Sequence, residues 1–360
     1  MRNQILTRAE CNALRGIAIL GIVLHNYSHW LRGIVRENEY QFFQKNAEGL
    51  QYALGNPDQN LPLHLLSFFG HYGVPIFLFL SAYGLVLKYE STPELMSEQA
   101  RMKGAWTFIR KHFLKLFKMM FVGFVAFTLV DAITPGSHHY RVVDIVAQLG
   151  MFNNVLPNPD GRIWPGPYWF FGLMLQLYIV YRLLLYRRHW GWIVGTIVVC
   201  TVIQLCCGPE SEALNRVRYN FMGGMLPFGM GLLYARYVQI PPSKLYHVLT
   251  VLFVAGMIYT CSMDYLTWYL VPVLVVVFVI SLVKILPAIV NSWLEWVGSI
   301  SAAMFICHPI ARKIFIPISH HGNVYGGFLL YILASIALAW VFREILKKTH
   351  PRTPPCKGGE

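Results

Sequence analysis

The chain has 360 residues, of which 56% are hydrophobic and only 13% charged, and its mean hydropathy is +0.47. Those proportions exclude an ordinary soluble domain and point to a polytopic membrane protein. The formal net charge of +13 would suggest a nucleic-acid partner in a soluble chain. Here Lys and Arg bunch between apolar runs, as the positive-inside rule requires, so no nucleic-acid partner is implied.

The first apolar run, residues 14–30, reads LRGIAILGIVLHNYSHW, with Arg15 near its start and His25 and His29 toward its end. Each ionisable group in the hydrocarbon core costs roughly 2.5 kcal/mol or more at mid-depth, so three in one span need a reason. His25 stands ten residues beyond Arg15, about 15 Å deeper along a helix. A purely structural account has Arg15 snorkelling to a head group and the histidines marking the far interface beside Tyr27 and Trp30. Arg2 and Arg8 precede this run, but no small-residue cleavage site follows it, so the span is expected to stay attached.

Residues 32–60 form a polar loop longer than a tight connection needs, a length that usually signals function or disorder. A second span covers 61–87, with His64 and His71 early and a kink expected at Gly73 and Pro75. The basic run that follows includes Lys88, Arg110, Lys111, Lys115 and Lys118 and marks its side as cytoplasmic. It leads into a third span ending near Asp131. Residues 141–156 are short and amphipathic and read as interfacial or re-entrant. Further spans are expected near 168–186, 190–207, 219–237, 245–261, 266–283, 294–309 and 328–346. The fold class is therefore all-α, a membrane bundle of about ten helices. Residues 1–349 form one transmembrane domain, and 350–360 form a disordered tail. Lys and Arg place both termini in the cytoplasm of a multi-pass protein of the cytoplasmic membrane. The 7 cysteines lie mostly inside apolar runs without paired metal spacing and read as small packing residues.

By depth, His25, His29, His64, His71 and His308 converge on the outer level of the bundle. Histidine titrates closest to neutrality, so it is the side chain best suited here to proton transfer. A zinc site is a rival use, because His25 and His29 stand four apart on one helical face. Without a carboxylate placed as in a metalloprotease, no metal is expected.

The opening span, FLFLSAYGLVL in span two, PYWFFGLMLQLYIVYRLL in span four and ISAAMFICHPI in span nine resemble, in order, the signature regions of the membrane acyltransferase-3 family. The resemblance covers about residues 10–346 and rests on order and spacing, since each motif alone is loose. It implies a ten-helix enzyme that moves an acyl group, mostly acetyl, from cytoplasmic acyl-CoA to a hydroxyl of a sugar or lipid-linked surface glycan. Members usually carry the arginine and histidine of span one eleven positions apart. Here the separation is ten, which turns His25 about 80° from Arg15, whereas His29 returns to within about 40° of it. The family's Ser-Gly pair reads Ser81-Ala82, and its frequent glutamate in span four reads Gln176.

On that resemblance His25 is the general base, or His29 if the duty has shifted along the helix, with Arg15 and His308 as further catalytic residues. His25 as a covalent acyl carrier remains an open alternative. Cations for the donor phosphates come from Arg15 with Arg110, Lys111 and Lys115. Candidate substrate contacts are Ser81, His71, Tyr83, Trp169, Gln176 and Tyr178. The aromatic cluster of Trp164, Tyr168, Trp169 and Phe170 suits either sugar stacking or an interfacial belt. The expected partners are acyl-CoA, a glycan or lipid-linked sugar and membrane lipids. A glycolipid or solute transporter would use the same buried polar groups, and a haem or metal-binding electron carrier would use the same histidines.

Overall fold

The computed structural model describes residues 5–90, 98–238 and 243–348, so the tail expected at 350–360 lies outside the described residues. Among the described residues every regular element is helical. In chain order α1 is Arg8–Ser28, α2 Gln44–Gly55, α3 Leu61–Phe69, α4 Gly73–Tyr89, α5 Glu98–Ile133 and α6 Val142–Leu149. The short α7 (Pro159–Arg162) precedes α8 Trp169–Val180, α9 Trp190–Leu205, α10 Glu212–Tyr219, α11 Phe221–Tyr237 and α12 Lys244–Cys261. The chain then continues through α13 Tyr265–Trp268, α14 Val271–Ile285, α15 Ala288–Ser299, α16 Ser301–His320 and α17 Val324–Lys348.

Six helical segments among the described residues are long and apolar enough to cross a membrane, and α9 and α14 are shorter apolar helices. Length and composition therefore do not reach the expected ten. The physical reason lies at the centre of the bundle, where α1 packs on α3, α4, α14, α15 and α16. A helix surrounded by protein need not be apolar toward lipid, and α1 keeps Arg8, Glu10 and Arg15. The expected span over 294–309 is broken at Ile300, the junction of α15 and α16. The 141–156 segment holds an 8-residue helix, too short to cross a hydrocarbon core of about 30 Å. The loop at 32–60 also contains structure, the amphipathic α2.

Local chemistry fixes the central helix. Thr7 caps α1 by accepting from the Glu10 amide at 3.2 Å, while the Thr7 amide donates to Glu10 Oε2 at 2.8 Å, a reciprocal capping box. Lys284 of α14 then pairs with Glu10 at 2.7 Å and donates to the Ile5 carbonyl at 3.0 Å. Farther along, α1 and α15 cross at glycine. A Cβ at Gly16 would overlap the Leu294 carbonyl, and one at Gly298 would overlap the Asn12 carbonyl. The turn between α3 and α4 comes equally close, since a Cβ at Gly70 would strike His25. Small residues at crossings let helix backbones approach in this way.

Candidate active site

Two cavities lie along α1. One, of about 310 Å³, is lined by His25, His29, His71, Glu37, Arg312 and Trp164 among others. The second, of about 220 Å³, is lined by Arg15, Lys115, Ser81, Tyr178, Met174 and Phe77 among others. Arg15 and His25 thus face different hollows at different depths rather than sharing one. Phe170 and Phe305 line both, with ring centroids 5.1 Å apart.

His25 is buried, and its Nδ1 lies 2.8 Å from the Ser67 carbonyl. A carbonyl only accepts, so Nδ1 carries the proton and Nε2 keeps its lone pair. The His29 ring stands 4.7 Å from that of His25 and the His71 ring 5.5 Å, centroid to centroid. His29 Nδ1 meets Glu37 Oε1 at 3.1 Å, an imidazole oriented by a carboxylate. Its Nε2 is buried without a partner, as are both ring nitrogens of His71 and Glu37 Oε2. Buried polar atoms are normally satisfied. A cavity edged by this many unpaired donors and acceptors is built for a polar ligand.

Glu37 and Glu39 reach the cavity because of the residue between them. Asn38 turns inward, where it accepts from the Phe43 amide at 3.1 Å and from Asn46 Nδ2 at 2.9 Å. Its carbonyl takes the Trp268 indole N–H at 2.9 Å. The side chains on either side of it, Glu37 and Glu39, both line the cavity. Arg218 clamps the same segment by donating to the Glu39 carbonyl at 2.8 Å, its guanidinium 4.1 Å from the centre of the Trp268 ring. His64 is structural here, its Nδ1 accepting from the Val35 amide at 3.1 Å.

Burial pushes the Glu39 carboxyl up to about 8, the charge of Glu37 adding to it against a hydrogen bond with Tyr40 and the charge of Arg218. Burial would raise Glu37 as well, but the charge and hydrogen bond of His29 outweigh it and hold that carboxyl well below the usual range. The far wall is aromatic and acidic. Tyr40 stacks on Tyr219 at 3.8 Å, and Trp169 meets both rings edge-on. Tyr219 donates to Asp160 at 2.5 Å. Trp164 leaves its indole N–H buried and unpartnered. Arg312 donates to the Asn26 carbonyl at 3.2 Å and stands 4.9 Å from the Trp30 ring.

Of the residues expected at the site, His25, His29, His71 and Trp169 line the histidine cavity, and Arg15, Ser81, Tyr178 and Lys115 line the arginine cavity. Ser81 and Tyr178 share a hydrogen bond of 3.1 Å. The others fall outside both linings. His308 is buried behind Phe305, with Nδ1 3.1 Å from the Met304 carbonyl. Tyr83 turns to the start of the chain and bonds Leu6. Gln176 ties α8 to α11 through Asn220 at 2.8 Å and the Phe221 amide at 2.9 Å. Arg110 and Lys111 are exposed on α5. Sequence reasoning missed Glu37, Glu39, Asp160 and Arg312, although the length of the 32–60 loop was a signal. Among the described residues His25, His29 and Glu37 are also the group that could hold a metal ion, their ligand atoms lying within 4.8 Å of one another.

The fold and site define an integral-membrane helix bundle that presents imidazoles to one hollow and Arg15 with Lys115 to another. The family model described as an acyltransferase domain, acyltransferase-3, matches residues 8–344. The chain belongs to that family and is a multi-pass membrane acyltransferase. Nothing among the curated proteins and nothing among the solved structures matches it.

Proposed function

We propose that the protein takes an acyl group, acetyl foremost, from acyl-CoA at the cytoplasmic face of the cell membrane and esterifies a hydroxyl of a sugar or lipid-linked surface glycan on the other side. The observation that supports this reading is the meeting of the two cavities at a single aromatic wall, with cations on one side and an oriented imidazole on the other. The Lys and Arg residues on the first half of α5 support a cytoplasmic position for the arginine cavity and for both termini. Arg15 and Lys115 attract the donor phosphates there, with Arg110 and Lys111 nearby on the exposed face of α5. His25 Nε2 removes the proton of the acceptor hydroxyl as that oxygen attacks the thioester, a contribution of roughly 10² to 10⁴ in rate. His29, held by Glu37, supports the same proton transfer. The acceptor ring lies against Tyr40, Trp164 and Trp169, and its hydroxyls satisfy Trp164 Nε1, Glu37 Oε2 and the nitrogens of His71. This chemistry calls for no metal.

The test uses purified protein in nanodiscs, radiolabelled acetyl-CoA and a surface-glycan extract from cells lacking the gene. Release of CoA with labelled, base-labile ester on glycan is expected. His25→Ala loses at least about 100-fold in rate while the protein stays folded in the membrane, and His29→Ala loses less. Loss confined to His29→Ala would move the base four residues along α1. Solute binding without any acyl transfer would replace the enzyme by a carrier.

A further inference from the structure

We infer that Phe170 and Phe305 form the partition between the donor and acceptor sides and set the length of acyl group that crosses it; this rests on the acyl-CoA reading above. Both rings line both cavities, with centroids 5.1 Å apart and planes tilted by 56°. They come from different helices, α8 and α16, so the partition is a seam rather than a continuous wall. Each is backed by further rings. Phe77 and Trp169 stand 6.4 and 6.3 Å from Phe170, and Phe171 and His308 each stand 5.9 Å from Phe305. The arginine cavity behind them is walled by Leu80, Leu116, Met119 and Met174. At about 220 Å³, it suits the acyl chain and thioester end of the donor rather than its nucleotide.

The backbone supports movement on the α16 side. Pro309 has no amide hydrogen, so the Phe305 carbonyl one turn earlier loses its helical partner, the usual cause of a soft point in a helix. Phe170 sits in the first turn of α8, directly after the 3-10 turn Gly166–Tyr168 that leads into it. In transfer, the acyl carbon–sulfur bond breaks and a carbon–oxygen bond to the acceptor hydroxyl forms. The hydroxyl proton passes to His25 Nε2 and then to the departing thiolate, so free CoA leaves as the thiol. An acetyl group reaches the seam with only a methyl to pass. A butyryl chain must drive the rings apart.

The experiment measures kcat/KM for acetyl-, butyryl- and hexanoyl-CoA on the full protein and on Phe170→Ala, Phe305→Ala and Phe170→Trp. Each alanine variant is expected to raise the butyryl-to-acetyl ratio at least about tenfold, the scale of one or two methylenes in a fitted pocket, and the tryptophan variant to lower it. Affinity for unreactive S-alkyl-CoA thioethers of rising chain length provides a readout free of turnover, with the same expected order. Unchanged length preference in folded Phe170→Ala and Phe305→Ala, by rate and by binding, overturns the inference while leaving acyl transfer standing. Length-dependent binding without turnover in the wild type keeps the partition and sinks the transfer reaction. Failure of every thioether to bind removes both.

Discussion

Glu37 and Glu39 stand two residues apart in one loop and yet titrate in opposite directions, Glu37 held low by His29 and Glu39 pushed up to about 8 by burial. Paired carboxyls driven apart in this way take different roles. At neutral pH Glu37 is a carboxylate that orients His29, whereas burial favours the neutral form of Glu39. The sign of the pH effect follows from the raised value. Whatever the neutral Glu39 contributes to the fold or to binding is complete below the ordinary carboxyl value of 4.5 and is lost as pH rises through about 8. Ionised Glu39 would add a second negative charge beside Glu37 and Asp160, with Arg218 and Tyr40 the remaining partners on that side. The KM for acceptor should therefore rise several-fold between pH 7 and 9 in the wild type and stay flat in Glu39→Gln. An equal alkaline rise in both proteins would remove Glu39 from acceptor binding. The histidines of this site were legible in the sequence because an imidazole in an apolar run is conspicuous. Glu37 and Glu39 were not, because a polar residue in a polar loop acquires a role only from the way Asn38 turns the backbone.

At the scale of elements, α1 carries the site and its position depends on two glycines. Gly16 and Gly298 let α1 and α15 approach until each backbone carbonyl occupies the space a Cβ would need. Gly16→Val should lower stability by about 1–3 kcal/mol, the range for overpacking a close contact. It should also reduce transfer, since Arg15 precedes the crossing and His25 follows it on the same helix. A thermal melt of the solubilised protein beside its transfer rate checks this, and an unaltered melt would show that the crossing has slack. The helical angle worked out from sequence also gains a meaning. Ten residues separate Arg15 from His25, turning them about 80° apart, and the structure has them facing separate cavities. The boundaries that went wrong were those around Ile300, where one expected span is two helices. The break falls in Gly298-Ser299-Ile300-Ser301, a small and polar stretch whose turn signal the longer apolar run on either side of it outweighed.

For the whole molecule, the arginine and histidine cavities lie on two sides of one aromatic seam, and the proposed function assigns the donor to the first and the acceptor to the second. Acetyl-CoA should then be used from one face of the membrane only. Sealed inverted vesicles given radiolabelled acetyl-CoA are expected to form ester, and sealed right-side-out vesicles to form it only after permeabilisation. Equal labelling from either face would undo the proposed orientation. The same arrangement separates what the chain dictates locally from what its folding decides. The sequence by itself determined the all-α membrane class, most of the long apolar helices and the histidine-rich face of α1, because hydropathy and helical period are properties of contiguous residues. Only the tertiary structure decided that Arg15 and His25 line different hollows, that Phe170 and Phe305 stand between them, and that Glu37, Glu39, Asp160 and Arg312 complete the histidine cavity. These residues come from separate helices and loops, and their proximity is set by helix crossings and loop anchors that no contiguous stretch of sequence contains.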